Sequence, residues 1–152
     1  QLDYIKNLIA DNNSTQKPEK NWNGIWAGKE INFYAINIED QVIFADENIN
    51  IFYNDRQIYK VTGLLAENTN IEITSNDSSI IYNLNGMRLG VDICKAGEIN
   101  RMESSEIYSR QCVKTDSGEI YENNIILNEQ GMIILMQFKI HPDYPQLKLR
   151  IK

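Results

Sequence analysis

The sequence predicts a mainly β fold: a single antiparallel β-sandwich, or a curved sheet or barrel, with a short N-terminal helix. Three observations predict it. The 152 residues include 24 Ile and 19 Asn, and Ile favours strands as Asn favours turns. Apolar and polar residues alternate in short runs over most of the chain. Turn-forming residues separate these runs at close intervals, which leaves no room for helical crossovers and requires antiparallel pairing.

Taken in order, residues 1–22 read as an N-terminal helix and polar linker, and residues 23–152 as the β-rich domain. Leu2, Ile5, Leu8 and Ile9 form an apolar stripe at helical spacing, with Asp3 suited to the positive N-terminal end. Asp11 to Asn21 is polar and contains Pro18, the composition of a linker. Strands are then expected at Ile31 to Ile38, Gln41 to Ala45, Ile49 to Tyr53 and Gln57 to Val61. Further strands are expected at Ile71 to Thr74, Ser79 to Leu84, Met87 to Cys94 and Ile107 to Lys114. Glu119 to Leu127, Met132 to Ile140 and Leu147 to Ile151 complete the set. Asn54-Asp55, Asn76-Asp77, Asn85-Gly86, Ala96-Gly97, Asp116-Ser117-Gly118 and Glu129-Gln130-Gly131 supply turns.

Composition narrows the function. The net charge of −6 argues against nucleic acid and against an anionic membrane surface, because both select clustered positive charge. One His leaves no basis for a multi-His metal site. No calcium-loop pattern occurs, and neither a cofactor nor a metal is expected. No apolar run reaches the roughly 18 residues of a membrane-spanning helix. Any membrane attachment is expected to come from a lipid anchor ahead of Gln1.

Candidate chemistry is sparse. His141, followed by Pro142 and Asp143, reads as a surface-loop residue, since no nucleophile elbow accompanies it. Glu39-Asp40, Asp46-Glu47 and Glu103 with Glu106 are acidic pairs that a polysaccharide hydrolase could use, but solvated turns explain them better. The chain is therefore expected not to be an enzyme. Trp22, Trp26, Tyr34, Tyr53 and Tyr59 are candidates for stacking on sugar rings or lining a cavity. The sequon matches, including Asn76-Asp77-Ser78, arise readily in an Asn-rich chain. Cys94 and Cys112 lack metal-type spacing. A structural disulfide in an oxidising compartment is the preferred reading, with two reduced buried thiols as the alternative. Closing that loop would stabilise the fold by roughly 3 kcal/mol.

Two resemblances add to this. Gly24-Ile25-Trp26 resembles the first-strand G-x-W signature of lipocalin-type barrels. Residues 45–64, ADENINIFYNDRQIYKVTGL, resemble a hairpin of the YjbF-type periplasmic lipoproteins of group 4 capsule and exopolysaccharide operons. Ala45, Asp46, Arg56, Ile58, Lys60, Gly63 and Leu64 occupy the matching places, with Asp55 where the family has a turn Gly. Residues 123–152 resemble that family's closing hairpin through Asn123 or Asn124, Gly131, Gln137, Phe138, Pro142 and Pro145. This resemblance implies an exported protein of a Gram-negative periplasm or outer membrane. It implies a partner that is a polysaccharide or an export protein, and it carries over no catalytic residues. The expected function is a non-enzymatic accessory factor acting by binding. The alternative is a lipocalin-like carrier of a small apolar ligand or lipid.

Overall fold

The computed structural model describes residues 19–152. The predicted helix and most of its linker lie outside the described residues. Thirteen strands follow: β1 (Trp22–Trp26), β2 (Lys29–Ile38), β3 (Gln41–Ala45), β4 (Asn50–Asn54), β5 (Gln57–Thr62), β6 (Asn70–Ser75), β7 (Ser79–Leu84), β8 (Met87–Cys94), β9 (Glu98–Met102), β10 (Ser105–Lys114), β11 (Ile120–Leu127), β12 (Ile133–Phe138) and β13 (Leu147–Ile151).

Neighbouring strands pair antiparallel from β1 to β8. β8 pairs with β10, β10 with β11, and the run β11, β12, β13 returns to β1. The sheet is therefore a closed antiparallel barrel of twelve strands, the form in which a sheet has no edges left open in its ring. β9 stands outside the ring count. It pairs with the first half of β10, while β8 takes the second half.

Strand alternation decides what lies inside. Trp22, Trp26, Phe33, Phe44, Ile51, Tyr82, Ile125, Met136, Phe138 and Leu149 all join one interior core. Gly24 belongs to this packing, because a Cβ there would lie 2.6 Å from the Phe33 ring. The Phe33 ring thus needs the glycine of the G-x-W triplet. In β5 a bulge inserts Tyr59 opposite the Phe52–Tyr53 step. Ile58 and Val61 consequently both reach the interior, although their spacing is odd.

Two strands escaped the sequence pattern. β1 opens at Trp22, and its central glycine lowers strand propensity. In β9 every residue is exposed, so it has no apolar alternation to read. The expected strand ending at Ile140 stops at Phe138.

His141 requires a correction: it is buried, not a surface residue. The segment after β12 folds back over the barrel end. Ile140 enters the core, and the Tyr144 ring packs 4.7 Å from both Trp26 and His141. Asn123 Oδ1 accepts the Lys139 backbone N–H at 2.9 Å, which anchors the fold-back.

Cys94 and Cys112 are cross-strand partners of β8 and β10 and are joined by a disulfide.

Candidate functional site

The opposite end of the barrel carries the β4–β5 and β6–β7 turns and the β8–β9 link. An open groove of about 450 Å³ runs between them. The β4–β5 turn holds Asp55 and Arg56 at φ of 48° and 62°. This two-residue, left-handed geometry matches the twist of the flanking strands. It carries the Arg56 guanidinium over the Tyr108 ring, 5.2 Å from its centre. Cation–π attraction of this kind favours a guanidinium held against an aromatic face.

The β6–β7 turn is built by Asn76, whose side-chain oxygen accepts the N–H groups of Ser78 at 3.0 Å and Ser79 at 2.9 Å. The sequon at this site is therefore a turn-making pattern, as Asn side chains commonly provide.

Arg110 forms the rigid floor. It is buried, and its guanidinium donates to Lys95 O at 2.8 Å, to Ser75 Oγ at 2.6 Å and to Asn76 O. Three segments are tied by one side chain, and each acceptor is a neutral oxygen. A buried cation satisfied in this way leaves positive potential at the groove base. Gly97 lies against Tyr108, and a Cβ there would stand 2.1 Å from the Tyr108 hydroxyl. Tyr59 completes the wall. Its hydroxyl donates to Gln41 Oε1, and burial pushes its pKa up. Such a groove offers aromatic faces, a guanidinium, amides and the Asp55 and Asp77 side chains to a hydroxyl-rich ligand.

The five aromatic candidates from the sequence do not converge. Trp22, Trp26 and Tyr53 are buried in the barrel core, with Trp22 packed edge-on against Phe44 at 4.9 Å. Tyr34 and Tyr59 lie half-buried on the outer face. Of the five, Tyr59 lines the groove. The five candidates did not include Arg56, Tyr108 or Arg110. The last two are spaced by two on one strand and hence share a face, which was the available signal.

A second polar cluster lies within the barrel. The Tyr121 hydroxyl donates to Asp92 Oδ2 at 2.6 Å and lies 2.8 Å from the Tyr82 hydroxyl. Burial pushes both tyrosines well above the usual phenol range. Lys139 sits 5.0 Å over the Tyr121 ring and donates to Tyr144 O at 3.2 Å. Burial, reinforced by Lys114, lowers its pKa. His141 accepts the Asp143 N–H at Nδ1, and burial lowers its pKa also. Tyr82, Tyr121 and Asp92 satisfy one another inside the barrel, as most buried polar groups do. The acidic pairs are dispersed: Asp46, in the β3–β4 turn, accepts the N–H groups of Asn48 and Ile49, while Glu106, on β10, faces Arg101 of β9 at 3.7 Å.

Fold and groove together define a closed, twelve-stranded antiparallel barrel with an open, polar groove at one end. In structure the chain is similar to the hypothetical lipoprotein YmcC from Escherichia coli (K12). The TM-score is 0.59 at 9% identity, over 98% of this chain and 96% of that one. At this identity the likeness shows a shared fold. No family model matches the chain. No curated protein matches it in sequence.

Proposed function

We propose that this protein is a non-enzymatic accessory factor of the cell envelope that binds a glycan in the end groove, in the service of capsule or exopolysaccharide production or export. The groove carries the proposal: Tyr59, Tyr108 and Arg56 present aromatic and cationic surface beside turn amides and acids, on a floor fixed by Arg110. Hydroxyl-rich ligands are held by such combinations of directed hydrogen bonds and aromatic faces. The shared fold with a protein described as a lipoprotein supports an exported, envelope-attached reading. The Cys94–Cys112 disulfide fits an oxidising compartment such as the periplasm. Against the carrier reading stands the barrel interior, which Phe33, Phe44, Tyr82, Met136 and Phe138 fill.

The test is an NMR titration of the isotope-labelled protein with oligosaccharides cut from the surface polysaccharide of its own cells. Amide shifts are expected at Asn54 to Gln57, Ser75 to Asp77 and Tyr108. Arg56→Ala or Tyr59→Ala should weaken binding by about tenfold, the scale of an ordinary interface anchor. If saturating oligosaccharide shifts no groove amide, the reading fails. If a fatty acid instead shifts the amides of Phe33 and Met136, the carrier replaces it.

A further inference from the structure

The barrel carries a second apolar cluster on its outer face. Ile36, Ile43, Ala45 and Phe52 form it, with Tyr34, Ile38 and Tyr59 packed against them. These residues alternate with the interior Phe33, Phe44 and Ile51, so they point away from the barrel core. An outward sheet face normally meets water and reads polar. This one does not: Ala45 is 0% exposed, Phe52 2%, Ile43 3% and Ile36 8%. Among the described residues, strands pack against their ring neighbours, and none lies across this face.

Asn50 supplies a second, independent observation. It is two residues from Phe52 on the same outward side and is 2% exposed. Its side-chain oxygen has no hydrogen-bond partner, while its amide reaches Thr62 Oγ1 at 3.4 Å. A buried acceptor left in this state costs roughly 1–3 kcal/mol, so it calls for a donor from whatever covers the face.

The position of the chain indicates the cover. The described residues begin at Glu19, and the Lys20 ammonium stands 5.3 Å from the centre of the Tyr34 ring, at the rim of this cluster. The preceding stretch carries the stripe Leu2, Ile5, Leu8 and Ile9, with Tyr4, Lys6 and Asn7 as hydrogen-bond donors among them. The intervening residues 10–18 can extend to about 30 Å at roughly 3.3 Å per residue. The face from β2 to β5 is only about 14 Å across at roughly 4.8 Å per strand.

We propose that the outer face of β2–β5 is the docking surface for the chain's own N-terminal stripe, Leu2, Ile5, Leu8 and Ile9. The stripe buries its apolar side chains on Ile36, Ile43, Ala45 and Phe52, and a donor of the segment reaches Asn50. Tyr59 borders both this face and the groove, but the pairing requires no glycan.

The test uses the full chain with one added thiol, Lys6→Cys, since both native cysteines are in the disulfide. A nitroxide on that thiol broadens nearby amide signals in NMR spectra. The expected result is severalfold loss of intensity at Ile43, Ala45 and Phe52, unchanged on dilution, with Asn124 and Gln137 across the barrel unaffected. Adding Ile5→Asp and Leu8→Asp should restore those intensities without shifting the amides of β11 and β12. Weak, uniform broadening would overturn the proposal. So would broadening that appears when unlabelled spin-tagged protein is mixed with isotope-labelled protein, because a second copy would then be the occupant.

Discussion

Consider removing the disulfide with Cys94→Ala and Cys112→Ala. The pair lies at the seam where the sheet closes on itself. β8 pairs with β10 along just Asp92, Ile93 and Cys94, against Lys114, Val113 and Cys112, with Lys95 N–H to Gln111 O and Thr115 Oγ1 to Val91 O at either end. Beyond Cys112 the partner of β10 changes to β9, an edge strand with no buried residue. The disulfide therefore closes one of the two shortest joins in the ring, at the point where pairing changes hands. Its sequence separation is 18. In the chain-entropy model a loop of that size stabilises the fold by about 3 kcal/mol through the unfolded state. For a domain of this length that corresponds to a fall in Tm of about 6–12 °C. Calorimetry of the oxidised wild type and the double variant measures it. Amide exchange supplies the local check: residues 92–99 and 105–114 should lose more protection than β2–β4, because the join is weakened and the far wall is not. A drop under about 2 °C, or protection lost evenly around the barrel, would refute the argument that the disulfide secures the seam.

Two further predictions concern the buried polar groups. Burial lowers the His141 pKa below its ordinary 6.5, so between the two values the unfolded state binds more protons than the folded one. Stability from this group is fully present above pH 6.5 and is lost as pH falls below it. Thermal melts at pH 7.5 and 5.5 should show a larger drop for wild type than for His141→Asn, and equal drops would remove His141 from the account. Tyr121→Phe deletes the donor to Asp92 Oδ2 and the partner of the Tyr82 hydroxyl. It should cost about 1–3 kcal/mol in urea unfolding, since both partners stay buried and lose a bond. A loss below about 0.5 kcal/mol would mean that other groups satisfy them.

Much of the fold was legible because strand signals are local. Gln41–Ala45, Ser79–Leu84, Met87–Cys94 and Leu147–Ile151 were bounded as they stand, by turns such as Asn85-Gly86 that need left-handed backbone. The site was much less legible. Tyr59, Arg56, Tyr108 and Arg110 come from two stretches of sequence about 50 residues apart and meet only because the closed ring brings the β4–β5 turn and β10 to one groove at the barrel mouth. The Trp residues were conspicuous by type, yet burial assigned them to packing. His141 was misplaced because Pro142 and Asp143 signal a turn, and a turn does not say whether the chain runs outward or folds back under Tyr144.

By itself the sequence determined that the chain is antiparallel β, where most strands start and stop, and that its single His cannot supply a multi-His metal site. These follow from alternation, turn chemistry and composition, all of which act over a few residues or over the whole chain. The tertiary structure alone decided that the sheet closes into a barrel instead of a sandwich, that Cys94 faces Cys112, and that an apolar patch lies outside the wall as well as within it. Closure depends on register and shear summed around twelve strands, and no local pattern records that sum.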